Sequence, residues 1–221
     1  MTTDLGLIAR RKSATYYNEA LPSHDEFHAN RVYGLAQYLA DDIDERIDRG
    51  ILSAAAWLHD IGRPYETAGE ISDHVQWAAD EARDLLANES VSNEKLDAIQ
   101  HCIEAHGIRS SSPEPDTPEA KLLYDADKLD AIGAVGILRM ACILGERSAQ
   151  SGENIGVIDN PEIDERNPAA GLDIASMRAR AERRLDSLYT EPGRHLASAR
   201  WEFFESFISQ FNTELRTTIR D

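Results

Sequence analysis

A chain of 221 residues, 42% apolar and 29% charged, is long enough to bury a sizeable core and has an ordinary globular composition. Forty acidic against 23 basic residues leave a formal charge of −17, a field that repels nucleic-acid polymers, and no apolar run approaches the roughly 20 residues of a membrane span. Two cysteines, Cys102 and Cys142, cannot build a disulfide framework, and a polar N-terminus without a signal core completes the expectation of a cytoplasmic protein.

In chain order, the first strong helical period lies in FHANRVYGLAQYLADDI, where Val32, Leu35, Leu39 and Ile43 share a stripe. SAAAWLHDIGRP, residues 53 to 64, reads as a buried helix that ends on His59 and Asp60. Burying either group without a partner costs several kcal/mol. VQWAADEARDLLA places Val75, Ala78, Ala82 and Leu85 on one face, and EKLDAIQHCIEAH does the same with Leu96, Ile99, Ile103 and His106. RSSSPEPDTPE holds three prolines and three serines in eleven residues, which predicts a loop. Thr117-Pro118-Glu119 at its end reads as an N-cap followed by proline at the first helical position. YDADKLDAIGAVG is a helix rich in alanine and glycine, interrupted by Asp125, Asp127 and Asp130. The polar stretch 148–171 reads as irregular, either a lid or a plain loop. ARWEFFESFISQFNTELR then aligns Trp201, Phe204, Ile208, Phe211 and Leu215. No alternating β pattern of useful length appears. The expectation is an all-α chain forming a single domain over 1–221, with its core at 20–145, a polar loop at 148–171 and C-terminal helices at 172–218.

Several polar residues break the apolar logic of these helices. His24, His28 and Arg31 share a face if the helix reaches back to residue 24. Taken singly, such residues are unremarkable; His101 and His195 read as ordinary surface or core histidines. The set is more informative: a histidine, then an adjacent His-Asp pair, then an aspartate, each inside a segment that otherwise reads as buried. Two imidazoles and two carboxylates gathered around a divalent cation would supply the compensation that burial demands.

That ordered set resembles the H…HD…D signature of the HD-domain phosphohydrolases, with His28 in HANRV, His59-Asp60 in LHDIG and Asp127 in DADKLDAIGA. The run IEAHGIRSSSPEPDTPEAKLLYDADKLDAIGAVGILR and the tail YTEPGRHLASARWEFFESF are also similar to small stand-alone bacterial and archaeal members, so the resemblance covers most of residues 20–215. It implies an HD-domain helical bundle with additional C-terminal helices. It further implies metal ligation by His28, His59, Asp60 and Asp127, and leaves Asp125 and Asp130 outside the ligand slot as capping or supporting groups. The implied cofactor is one divalent ion (Mn, Mg, Ni, Co, Zn or Fe). A second ion stays open, because members with paired metals hold it through histidines in the interval where His74 and His106 lie; in stand-alone members such histidines face substrate instead.

The resemblance also implies a reaction. A metal-bound water with its pKa lowered toward ~7 attacks a phosphoryl group, with Asp60, Asp127 and His106 as the expected catalytic groups. Arg63, His74 and Lys128 are expected to bind the substrate's phosphate oxygens. Arg31 is expected to pair with a local carboxylate such as Asp25, and Glu66 is a weak candidate base. The expected function is hydrolysis of a small phosphate ester or anhydride, by analogy a nucleotide, of the nucleoside triphosphate pyrophosphohydrolase or phosphatase type. The chain lacks the Glu-Asp that follows HD in alarmone hydrolases, and carries Arg63 in place of the glutamate of HD-x-x-E nucleotidases. A di-iron oxygenase on the same fold and a non-catalytic nucleotide-sensing HD protein remain as alternatives. The expected partner is the small phosphate substrate, without nucleic-acid polymer or membrane.

Overall fold

The structure is a computed structural model describing residues 4–108, 111–152 and 174–218, with the side chains of 174–176 and 215–218 outside that description. Its helices are α1 (Leu5–Ser13), α2 (Glu26–Asp41), α3 (Arg49–Leu58), α4 (Arg63–Ala68), α5 (His74–Leu86), α6 (Asn93–Ala105), α7 (Pro118–Leu129), α8 (Gly133–Ser151), α9 (Ile174–Asp186) and α10 (Glu191–Thr218). The described residues hold no strand, and no helix among them is long and apolar enough to cross a membrane.

Part of the acidic excess sits at helix starts. Asp4, Asp25, Asp48 and Asp73 each accept hydrogen bonds from first-turn N–H groups of α1, α2, α3 and α5. Ser92 caps α6, and Thr117 Oγ1 accepts from Ala120 N with Pro118 leading α7. A carboxylate in this position satisfies orphan donors and complements the helix dipole.

The chain divides into two compact units, Met1–Asp127 with Leu188–Gly193, and Lys128–Ser187 with Arg194–Asp221. In the first, α3 is the axis against which α1, α2, α5 and α6 pack. Every residue from Ile51 to Leu58 is buried, and the small side chains of Ser53 and Ala54 to Ala56 let neighbours approach closely. Gly6 of α1 comes so near that a Cβ there would lie 2.7 Å from Ser53 Cβ. Trp57 closes the far end of α3, stacked on Tyr33 with ring centroids 5.6 Å apart. In the second unit Ile137, Ala181, Phe204 and Ile208 form a core flanked by Trp201 and Phe207. There Arg139 pairs with the buried Asp130 at 3.3 Å, and Arg200 donates to Leu129 O at 2.5 Å.

The expected stripes need small corrections. α2 ends at Asp41, so Ile43 lies beyond it; Leu35 and Leu85 are only half-buried while Ala36 and Leu86 are buried. In α5 the row Ala78, Ala82, Leu86 advances by four, which brings Leu86 rather than its neighbour to the core. α8 continues through Ser151, so the start of the expected irregular stretch is helical. The rest of that stretch, from 153, and the Leu215 side chain lie outside the described residues.

Leu52 is fully buried at the middle of α3, whereas Leu138 of α8 is 69% exposed. Leu52→Ala is expected to cost about 2–5 kcal/mol, and Leu138→Ala no more than about 0.5 kcal/mol. Urea unfolding midpoints of the two variants check the contrast.

Candidate metal centre

The centre starts where α3 stops. His59 keeps helical dihedrals, φ −60° and ψ −33°, as the C-cap of α3. The chain then turns through Asp60 to Gly62, and α4 begins at Arg63 with Pro64 in its first turn. Proline therefore opens a new helix here and does not break an old one. Gly62 is required by proximity: a Cβ at that position would lie 2.6 Å from His74 O. That approach brings the start of α5 against the turn carrying Asp60.

Four elements supply the polar side chains. His28 comes from α2, His59 and Asp60 from the end of α3 and the turn after it, His106 from the C-cap of α6, and Asp127 from α7. His28 Nε2 lies 3.3 Å from His59 Nε2, 3.5 Å from Asp60 Oδ2 and 3.5 Å from Asp127 Oδ1. His59 Nε2 lies 3.7 Å from Asp60 Oδ2. His28 and His59 are fully buried, and Asp60 is 2% exposed. The Asp127 side chain, at 17%, is the most open of the four. The ligand atoms of His28, His59 and Asp127 all lie within 4.8 Å of one another, as do those of His59, Asp60 and His106.

The tautomers follow from the carbonyls. His59 Nδ1 lies 2.8 Å from Ala56 O and His106 Nδ1 lies 2.5 Å from Ile103 O. A carbonyl only accepts, so each Nδ1 donates, and in the neutral ring Nε2 is left with a bare lone pair. This is the arrangement that orients metal-binding imidazoles. Donors bound at about 2.1 Å to one cation stand about 3 to 4 Å apart, the range seen between these atoms. Bare nitrogens and carboxylate oxygens converging without a cation would repel. The donor set thus fits a divalent ion.

Asp60 is the hub. Its Oδ2 faces His28 and His59, while Oδ1 lies 3.3 Å from Arg63 Nε, 3.5 Å from His74 Nε2 and 3.8 Å from His106 Nε2. Burial pushes this carboxyl up, but Arg63 and His59 pull it further down, and it rests well below the usual carboxylate range. Burial moves His59 the other way, from the ordinary value near 6.5 to about 3, with Asp60 opposing in part. Burial likewise lowers His74.

The sequence expectations are met unevenly by position. His28, His59, Asp60, Asp127, His74, His106 and Arg63 come together around one carboxylate. Arg63 uses Nε on Asp60 and Nη1 on Glu66, at 3.2 Å, leaving Nη2 uncommitted. Lys128 is buried at the end of α7, directly after Asp127. His24 precedes α2, and so does not share a helix face with His28; its ring meets His28 edge-on at 5.7 Å, and its Nδ1 lies 2.6 Å from Ser23 Oγ. Glu66 lies beside His74. Its Oε2 stands 2.8 Å from His74 Nδ1, and its Oε1 accepts from His74 N. Both ring nitrogens of the buried His74 are left without a hydrogen bond.

The fold is that of the HD-domain family, to which the chain belongs: that family's domain matches residues 27–132. The uncharacterized protein YpgQ of Bacillus subtilis is 30% identical over 195 residues, covering 87% of this chain and 84% of YpgQ. The structure of YpgQ in complex with ADP superposes with a TM-score of 0.68 at 28% identity, covering 93% of this chain and 97% of that one. A predicted HD superfamily hydrolase from an uncultured Thermotogales bacterium gives 0.61 at 26% identity, with 95% and 90% covered. The 3'-5' exoribonuclease YhaM of B. subtilis is 28% identical over 134 residues, 52% of this chain and 42% of YhaM, so the chain spans less than half the length of that relative.

With His59 neutral when folded, the unfolded chain takes up a proton between about pH 6.5 and 3 that the folded chain refuses. The metal-free protein is therefore expected to lose stability as pH falls through that window. His59→Leu should flatten the dependence by up to one proton, about 1.4 kcal/mol per pH unit, measured as urea midpoints across the range.

Proposed function

We propose that the chain is a divalent-metal-dependent phosphohydrolase of a small phosphate ester or anhydride, with a nucleotide as substrate. The observation that carries this reading is the convergence of the Nε2 atoms of His28 and His59 with Asp60 and Asp127 in an apolar interior, the last of them open toward solvent. A divalent ion held by those four would act as a Lewis acid, lower its water's pKa toward ~7 and offset phosphoryl charge. The side chains do the rest. Asp127 orients the attacking water, and Asp60, held ionised by Arg63 and its histidines, fixes the geometry around it. His106, with Nδ1 donating to Ile103 O, presents Nε2 as the nitrogen that receives a proton. Arg63 through Nη2, His74 as a neutral N–H donor and Lys128 hold phosphate oxygens.

A nucleotide is favoured because the relative YpgQ was solved with ADP. The charge of −17 favours a free nucleotide over a polymer, whose phosphates it would repel along their length. Within that class, a nucleoside triphosphate pyrophosphohydrolase or phosphatase is the reading we adopt.

A two-ion centre is a second reading, favoured by the His59, Asp60 and His106 group and by the orphaned nitrogens of His74. Neutral His74 and His106 would then be ligands and not phosphate contacts. Elemental analysis separates the cases: one ion per chain supports the first, and two irons with visible absorption would point to an oxygenase.

Asp127→Ala and His59→Ala are each expected to reduce hydrolysis of nucleoside triphosphates to the level of chelator-treated wild type, with helical circular dichroism retained. Phosphate and pyrophosphate release across Mn, Mg, Ni, Co and Zn is the measurement, and full activity in either variant removes the assignment.

A further inference from the structure

Asp125 stands two residues before Asp127 on α7. At about 100° per residue the two carboxylates project from nearly opposite sides of the helix. Asp127 turns toward His28; Asp125, fully buried, turns to the segment 188–193 that leads into α10. There Oδ1 accepts from Tyr189 N at 2.8 Å, and Oδ2 accepts from Thr190 N at 2.8 Å and Thr190 Oγ1 at 2.6 Å. Thr190 Oγ1 in turn accepts from Gly193 N at 3.1 Å and so caps α10 by itself. Gly193 presses close enough that a Cβ would lie 2.4 Å from Asp125 Oδ2.

A cap alone does not account for Asp125, because Thr190 already provides one. What the carboxylate adds is a fixed point on the back of α7. A helix packed only through apolar side chains retains freedom to rotate about its axis and slide along it. A buried charge gripped by three directional donors removes that freedom, and a ligand two residues away is held with it. Metal centres need their ligands placed within about 0.5 Å and 10–20°. We propose that Asp125 is a positioning residue for Asp127: its clasp on Tyr189 and Thr190 sets the rotation and height of α7, and through them the affinity of the centre for a divalent ion. This rests on reading His28, His59, Asp60 and Asp127 as the ligand set.

Mn2+ binding to the metal-free full-length chain, measured by calorimetry, tests it. Thr190→Val removes one donor of the clasp at nearly constant volume, and Thr190→Ser keeps it. Ser13→Ala deletes another buried hydroxyl, bonded to Arg10 O on α1, and serves as a control for general destabilisation. Thr190→Val is expected to bind Mn2+ about tenfold more weakly, while Thr190→Ser stays within about twofold of wild type and Ser13→Ala is unchanged. Asp125→Asn, which turns an amide donor toward backbone donors, should weaken binding further; if it does not fold, Thr190→Val decides. Wild-type affinity in Thr190→Val, or an equal loss in Ser13→Ala, overturns the inference and leaves the ligand set standing. A wild-type chain that binds no Mn2+ overturns both.

Discussion

The constraint on which this structure turns is the burial of one charge. Asp60 is 2% exposed and remains ionised. Left alone in such a setting, a carboxylate would take a proton and cease to be a charge. Everything around it prevents that: Arg63 on one oxygen with His74 and His106, His28 and His59 on the other. Arg63 is its one permanent cation among these partners; burial keeps His59 and His74 toward neutrality. The other oxygen of Asp60 faces the Nε2 of His59, whose Nδ1 donates to Ala56 O, which leaves room for a positive charge that a divalent ion would supply.

That demand explains the small residues before it. α3 delivers His59 and Asp60 to the centre, and its body must be approached on several sides by α1, α2, α5 and α6. Bulky side chains would hold those helices apart and with them the imidazoles they carry, since His28 rides on α2 and His106 ends α6. The alanine run at 54–56 is the condition for convergence. The glycine at 62 plays the same part for α5, because only a residue without Cβ lets the turn lie against His74 O.

Much of this was legible in the residues. Helical period located the helices, the Thr117-Pro118 pair marked the start of α7, and the ordered H…HD…D set identified the family and the side chains that converge. What was hidden follows a pattern. Leu85 against Leu86 is a matter of about 100° of helix phase, which two adjacent leucines leave unresolved. Glu66 stood out only as a carboxylate near the centre, since its approach to His74 depends on a turn at Gly62 that no local propensity specifies. Asp125 was visible as a polar break in an apolar helix, but its partners Tyr189 and Thr190 lie 64 and 65 residues away. Chemistry announced by residue type and order is readable; chemistry made by long-range pairing of ordinary residues is not.

The graded exposure of the centre bears on direction of approach. His28 and His59 are sealed, Asp60 nearly so, and only Asp127 retains a sixth of its side chain in contact with solvent. On the proposed reading a substrate phosphate would arrive beside Asp127. Arg63, beside Asp60, keeps a third of its side chain exposed. An anion reaching Arg63 crosses the field of a chain of net charge −17. The repulsion would scale with the number of phosphates on the ligand, whereas the local attraction would be limited to Arg63 and a bound ion. A short phosphate chain gains the second without incurring much of the first, and a polymer does not.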